Sequence, residues 1–214
     1  MSAPRNTRRV RPAAGIFVVD GTTGRFALPA LPDALPDALP LAFSPVSARA
    51  VTHTGDDPDI SSRALGVRSL SPRAFTDAAL SAAHAQLGLL FASPAHDAMA
   101  QPPQPGLWGR AARHGLAPDR QGLTYLGRSV FTRPNGTSWH LRLFAIAASR
   151  AVQALFPVGS GGRAVWIEEE AMEAHLAQPE LTAFVPLARA AASGVIITPL
   201  QVRKQAGRLR TTGL

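Results

Sequence analysis

The segment AALSAAHAQLGLLF, at residues 78–91, decides how the rest of this chain is interpreted. It predicts an amphipathic helix that begins earlier, with Ser71 as N-cap and Pro72 in the first turn, and that ends at a glycine, Gly88. Phe75, Ala79, Leu80, Ala83 and Leu87 follow one another at helical spacing, so this side of the helix is expected to pack on a sheet. The segment contains no carboxylate.

Length and composition indicate one domain of ordinary size, since 214 residues are enough to bury a core. The chain has no cysteine, which excludes disulfides and thiolate metal sites and fits a reducing compartment. Arg142 and Arg150 interrupt the longest apolar stretch, so no membrane span is predicted. We expect a cytoplasmic protein, with an organelle matrix as the alternative.

The net charge of +8 lies at the two ends of the chain. Removing the eight basic residues of the ends leaves 14 basic and 14 acidic residues, so the body is neutral. The sequence therefore suggests a basic N-terminal arm (1–11), a body (12–200) and a basic C-terminal tail (201–214). Such segments either bind phosphate backbones or acidic surfaces, or merely solubilise the ends. The eight residues are Arg5, Arg8, Arg9, Arg11, Arg203, Lys204, Arg208 and Arg210.

The order of predicted elements indicates an α+β fold with a mixed sheet. A hairpin is expected from AAGIFVV and RFAL around the turn DGTTG, and two further strands from LTYLGRSVF and WHLRLFAIAA. A last strand, AVWI, leads into the helix EEEAMEAHLA, and a final helix ends at Gly194. Insertions near 47–70 and 92–106 have no evident role.

Several of these segments, in this order, resemble the Nudix hydrolases, in particular a subgroup with a long insertion before the helix of the Nudix box. The resemblance runs from about position 12 to 190 and rests on RPAAGIFVVDG, RAFTDAALSAAHAQLGLLF, GLAPDRQGLTYLGRSVFTRP, SWHLRLFAIAAS and AVWIEEEAM. It implies an α/β/α sandwich around a mixed sheet, and hydrolysis of nucleoside-diphosphate-linked substrates with bound magnesium or manganese.

The box itself departs from the family's pattern, which reads Arg-Glu-aliphatic-X-Glu-Glu-X-Gly-aliphatic. Gly88 and Leu89 match it, but Ser81 replaces the arginine, and Ala82, Ala85 and Gln86 replace the three glutamates. Hard divalent cations need oxygen ligands, preferably charged, and alanine provides none. The glycine-rich turn before the helix is also missing, and the nearest carboxylate is Asp77. The sequence therefore predicts no metal site, no cofactor and no standard Nudix reaction.

Other candidate sites are outweighed by structural interpretations. Glu168, Glu169, Glu170 and Glu173 are typical of a solvated first helical turn rather than a metal site. His84 is a candidate general base, but no carboxylate is placed to orient it. Tyr125 and Trp139 are expected in the core rather than stacked on a base. GSGG at 159–162 is interpreted as a connector.

These observations favour a Nudix-fold protein without catalytic residues that acts as a binding or assembly subunit. Its basic ends are expected to dock on RNA or an acidic protein. A divergent pyrophosphohydrolase and a nucleotide-sensing regulator are the alternatives.

Overall fold

A computed structural model describes residues 10–30, 41–47, 58–66, 69–95, 106–132, 138–152, 162–176, 178–205 and 207–214. Arg5, Arg8, Arg9 and most of the GSGG segment lie outside these ranges, as do large parts of the two predicted insertions.

The described residues form one large mixed sheet and a small two-stranded one. The large sheet contains β1 (Arg11–Val19), β2 (Phe26–Pro29), β3 (Ala42–Pro45), β6 (Thr124–Thr132), β7 (Ser138–Ala147), β8 (Ala164–Ile167), β9 (Leu200–Gln205) and β10 (Arg208–Gly213). Its strand order is β10-β9-β6-β7-β1-β2-β8, with β3 also paired to β1. The small sheet pairs β4 (Ala92–Pro94) with β5 (Leu116–Pro118).

Two of the strand pairs in the large sheet are parallel, β1 with β7 and β6 with β9, while the others are antiparallel. The predicted α+β class and the hairpin of β1 and β2 are confirmed.

Helices cover both faces of the large sheet. They are α1 (Ser62–Leu65), α2 (Pro72–Ala82), α3 (Gly106–Ala112), α4 (Glu169–Leu176), α5 (Pro179–Thr182) and α6 (Val185–Ala192). One core contains Phe75 and Leu80 of α2, packed with Ile16 and Phe144 of the sheet. The other contains side chains of α4, α5 and α6 on the opposite face. Burying such side chains on both faces is the main source of stability in this kind of fold.

The helix predicted around the segment 78–91 begins and ends as its sequence indicates. The Ser71 side chain accepts a hydrogen bond from the Ala74 backbone, and Pro72 lies in the first turn. The last turn, Ala83–Leu87, is a π-helical turn, and it ends at Gly88 in the left-handed conformation with φ of 74°. The local signals were sufficient here because capping depends on neighbours along the chain.

In the segment 201–214, predicted as a basic C-terminal tail, β9 and β10 form a β-hairpin at one edge of the large sheet. Strand β9 is parallel to β6, and β10 is antiparallel to β9. The side chain of Val202 is fully buried in the core under α5 and α6, which ties the hairpin to the body. The described part of this segment is therefore folded as part of the sheet.

The sequence predicts no membrane span, because its apolar stretches are short and interrupted by charges, and the described helices are consistent with this. None of them is both long and apolar enough to cross a bilayer.

Candidate functional site

The positions of the Nudix box begin with the last two residues of α2, Ser81 and Ala82, and continue through its π-helical extension to Gly88 and Leu89. Ala82 is buried, Ala85 is exposed, and Gln86 is half-buried and directed at β3. Ser81 accepts a hydrogen bond of 3.0 Å from the indole nitrogen of Trp108 in α3. Ser81, Ala82 and Gln86 are therefore used in packing and structural contacts, whereas Ala85 is exposed to solvent.

Gln86 shows this most clearly, because its amide makes two hydrogen bonds to the backbone of a single residue. Its Nε2 donates to the Phe43 carbonyl at 2.6 Å, and its Oε1 accepts from the Phe43 amide at 3.3 Å. This amide pairing fixes β3 to the box helix in the manner of an additional strand contact. The neutral oxygen of this amide is a poor ligand for a hard cation.

Asp77, the carboxylate nearest to the box in sequence, takes part in a buried ion pair. Its two oxygens accept hydrogen bonds from Nε and Nη2 of Arg120 at 2.7 and 3.1 Å. Both side chains are almost completely buried, at 3% and 0% exposure. A buried bidentate pair of this kind is costly to break, since one charge would be left in a low-dielectric interior. Asp77 therefore has a structural role and is not free to bind a metal ion.

His84 lies in the middle of the π-helical turn and is buried. Burial, and secondarily the positive charge of Arg110, lowers the pKa of His84 below its ordinary value. Its Nε2 has no hydrogen-bond partner among the described residues. No described carboxylate orients the ring in the way a general base requires. We therefore interpret His84 as a packing residue and not as a general base.

The described residues contain no cluster of three or more histidines, aspartates or glutamates that could hold a metal ion. The glutamates at the start of α4 pair with arginines instead. Glu168 pairs with Arg25 at 2.5 Å in an exposed ion pair, and Glu169 pairs with Arg189. The residues present near the box therefore do not fit the divalent cation that the resemblance implies.

A hollow of about 210 Å³ lies beside the small sheet. Its lining includes Asp119, Arg120, Gln121 and Arg150, together with Ser93 and the prolines of β4 and β5. Arg150 makes a bidentate ion pair with Asp119, at 2.7 and 3.0 Å. This hydrogen bonding to the carboxylate raises the pKa of Arg150. The hollow thus presents a half-exposed guanidinium that is already paired with an acid.

Arg11, near the start of the chain, and the basic residues of the β9–β10 hairpin lie at one end of the large sheet. Strand β1 is parallel to β7, β7 is antiparallel to β6, and β6 is parallel to β9. The first residue of β1, Arg11, therefore lies at the same end as the last residues of β9 and the β9–β10 turn. Three strand spacings separate β1 from β9, which is about 14 Å. Arg11 and the C-terminal hairpin, far apart in sequence, therefore lie at the same end of the sheet.

Strand register divides the basic residues between the two faces of the sheet. Arg128 of β6 lies opposite Arg142 of β7 and opposite Gln201 of β9. Arg203 of β9 lies opposite Arg210 of β10. Because side chains alternate along a strand, all four arginines belong to the face that carries α2, while Lys204 belongs to the other face. Arg11 is also on the other face, where its guanidinium lies 5.9 Å from the centre of the Trp139 ring.

Arg142 is the most buried of the four arginines on the α2 face. Its Nε donates to the Leu65 carbonyl at 3.0 Å and its Nη1 to the His140 carbonyl at 2.9 Å, and its guanidinium lies 5.0 Å from the Phe75 ring centre. Burial is the first cause that lowers the pKa of Arg142, to about 10. At neutral pH it is still protonated.

The pKa values of two residues close to these arginines, His140 and Tyr125, are shifted from their ordinary values. Burial and the charges of Arg142, Arg128 and Arg203 lower the pKa of His140 to about 4. Burial raises the pKa of Tyr125 to about 12, and its hydroxyl donates to the Ala64 carbonyl. His140 is therefore neutral at pH 7 and adds no charge to this group of arginines.

Tyr125 and Trp139 were expected in the core, and they are buried there. Tyr125 packs against Phe144 at a ring-centre distance of 5.5 Å, and Trp139 packs edge-on against Phe43 at 5.8 Å. Neither presents a free ring face for stacking on a base.

Comparison with known proteins identifies the fold. The chain is similar to the crystal structure of a NUDIX hydrolase from Alicyclobacillus acidocaldarius, with a TM-score of 0.58 and 14% identity over 90% of this chain and 100% of that one. It is also matched to a NUDIX hydrolase from Nitrosomonas europaea, with a TM-score of 0.44 and 12% identity over 86% and 91%. No family model and no curated protein matches the sequence. The chain therefore has the Nudix fold, as its sequence elements predicted.

Arg128 and Arg142 were not predicted as part of a charged surface. Alternation along LTYLGRSVF and WHLRLFAIAA gives the face of each side chain within its own strand. It does not give the pairing of β6 with β9, which brings Arg128 next to the C-terminal arginines.

Proposed function

We propose that this protein is a Nudix-fold binding subunit that does not carry out metal-dependent pyrophosphate hydrolysis and that binds RNA through the basic end of its sheet. The cytoplasm is the expected location.

The chemistry of the box positions supports the absence of the hydrolytic reaction. Cleavage of a pyrophosphate in this family depends on a divalent cation held by carboxylates, and here two of the three positions are alanines. The third, Gln86, has its amide bonded to the Phe43 backbone at 2.6 and 3.3 Å. Two carboxylates that could have replaced the missing glutamates, Asp77 and Asp119, are each in bidentate contact with an arginine.

A direct test measures both metal and turnover. We expect no manganese binding by electron paramagnetic resonance, and no product above a blank from dinucleoside polyphosphates, nucleotide sugars or coenzyme A with magnesium or manganese. Metal-dependent release of a phosphate-containing product would show the alternative, a divergent hydrolase.

The position of Arg11 at the same end of the sheet as the basic C-terminal hairpin is the observation that supports RNA binding. Arg203, Arg208 and Arg210 are exposed on the hairpin, and Arg11 begins β1 at the same end. Guanidinium groups form bidentate hydrogen bonds to phosphate, and releasing counterions from a polyanion favours binding. Basic side chains gathered at one end of the sheet gain more from a polyanion than cations at distant parts of the molecule would.

Fluorescence anisotropy with a labelled single-stranded RNA tests this part. We expect binding that weakens linearly in a plot of log affinity against log salt. No binding at low salt would refute it.

A nucleotide-sensing function is a second candidate because of the hollow at Asp119 and Arg150. Calorimetric titration with nucleotides separates the two. Heat that disappears in Arg150→Gln and persists in Arg203→Gln would favour nucleotide binding in the hollow.

A further inference from the structure

We infer that the RNA-binding surface is one-sided: Arg203, Arg208 and Arg210, with Arg128 at its inner end, contact phosphates on the α2 face of β6, β9 and β10. This inference rests on the proposed function and adds the face and the residues.

The strand register of the β9–β10 hairpin places its three exposed arginines, Arg203, Arg208 and Arg210, in one row. Arg203 and Arg210 are directly opposite each other, and Arg208 is opposite Gln205 on the same face. Cross-strand neighbours have Cβ atoms about 5 Å apart, and like charges at that distance repel. All three arginine side chains are exposed. An anion between them converts that repulsion into attraction.

Arg128 continues the row toward the centre of the sheet. Its Nη2 donates to the Gln201 side chain at 3.1 Å, whereas its buried Nε has no partner among the described residues. Its guanidinium packs against Gly66 at the end of α1, so closely that a Cβ added to this glycine would lie 1.7 Å from Nη1 of Arg128. This packing holds the guanidinium in place, so its ordering does not have to occur on binding.

The nearest buried charge on the same face, that of Arg142, is also positive. Arg142 lies opposite Arg128 on β7, and its hydrogen bonds go to backbone carbonyls of α1 and β7. The lowered pKa of His140 agrees with this, because after burial its causes are the charges of Arg142, Arg128 and Arg203. The row is therefore a concentrated positive field, and a phosphate chain is the ligand chemistry that it fits.

The other face of the hairpin differs. Among the residues that the structure describes there, Val202 is buried in the core, Leu209 and Thr211 are exposed, and Lys204 is the single cation. Neighbouring positions on one strand, Arg203 and Lys204, therefore carry the same charge on opposite faces. They provide a matched pair for mutation.

The experiment compares Arg203→Gln, Lys204→Gln and the double variant Arg203→Gln/Arg210→Gln in the full chain. Removing one phosphate contact to a single-stranded RNA lowers the magnitude of the salt slope by about 0.7 and the affinity at 0.1 M salt by about fivefold. We expect that change for Arg203→Gln, about 1.4 in slope for the double variant, and little change for Lys204→Gln. Because all three side chains are exposed, circular dichroism and the thermal transition should be unchanged.

The outcomes distinguish this inference from the proposed function. Equal reductions in affinity for Arg203→Gln and Lys204→Gln would overturn the one-sided surface and leave RNA binding standing. Absence of RNA binding by the unaltered chain would overturn both. If polyglutamate competes as well as unlabelled RNA at equal charge concentration, the ligand is an acidic protein and the RNA assignment is wrong.

Discussion

Gln86 shows how one residue can take a position used by the family's chemistry and make it structural. Its amide both donates to and accepts from the Phe43 backbone, a pairing that a carboxylate cannot reproduce because it has no donor. Gln86→Glu is therefore expected to destabilise the protein by about 1–3 kcal/mol, since it places an anion against the Phe43 carbonyl. Urea denaturation with and without manganese measures it, with the exposed Ala85→Glu as control. Stabilisation of Gln86→Glu by manganese would show that the box retains metal affinity.

A second prediction at the residue scale concerns pH. The folded-state pKa of His140, about 4, lies below the ordinary value of 6.5, so between these values the unfolded chain binds a proton that the folded chain does not. Stability is then complete above pH 6.5 and decreases as the pH falls toward 4. We expect His140→Gln to reduce this decrease by an amount on the order of 1 kcal/mol, allowing for the partial exposure of the ring.

Urea denaturation at about pH 7 and about pH 5, on either side of the ordinary histidine pKa, measures the effect, with the exposed His175→Gln as the matched control. An unchanged pH dependence in His140→Gln would mean that the ring is hydrated in the folded protein. His84, whose pKa is also lowered, leaves a residual dependence in the same direction.

At the scale of elements, the junction between β6 and β9 depends on a glycine. Gly127 has φ of 136° at a register shift in β6, and a Cβ there would lie 1.9 Å from the Leu200 carbonyl oxygen. Gly127→Ala should therefore force β9 away from β6. We expect a decrease of more than about 3 kcal/mol in unfolding free energy, with faster amide exchange in β9 and β10.

Gly115→Ala is the control for this prediction, because its φ of 68° carries the left-handed strain with no atom within 4 Å of the added carbon. About 1 kcal/mol is expected there. Similar decreases in both variants would show that the close approach of β9 contributes nothing.

Sequence reasoning identified α2 and the β1–β2 hairpin and missed the β9–β10 hairpin, for a physical reason. Ser71, Pro72 and Gly88 act on residues within a turn of themselves, so their signal is local. In QVRKQ the one buried apolar side chain is Val202, and the surrounding polar residues hide a strand whose partner, β6, is far away in the chain. The box positions could be identified directly, but the pairing of Gln86 with Phe43 and of Asp77 with Arg120 depends on tertiary contacts.

At the scale of the whole molecule, the basic segment before β1 and the C-terminal hairpin are expected to act together. Deleting residues 1–9 leaves Arg11 and β1 intact and removes Arg5, Arg8 and Arg9. We expect weaker RNA binding and a smaller salt slope with an almost unchanged thermal transition, measured by anisotropy and calorimetry. Unaltered RNA affinity after this deletion would confine the binding surface to the hairpin.

The parallel pairing of β6 with β9 has a consequence for how the protein is made. Strand β7, strand β8 and helices α4–α6 all lie between these two strands in the chain, so the hairpin finds its partner late in synthesis. Long-range pairing of this kind forms slowly compared with local contacts. The arginine row therefore depends on a pairing that forms after the local contacts of β7, β8 and helices α4–α6, and slow formation of this pairing delays the surface that we propose binds RNA.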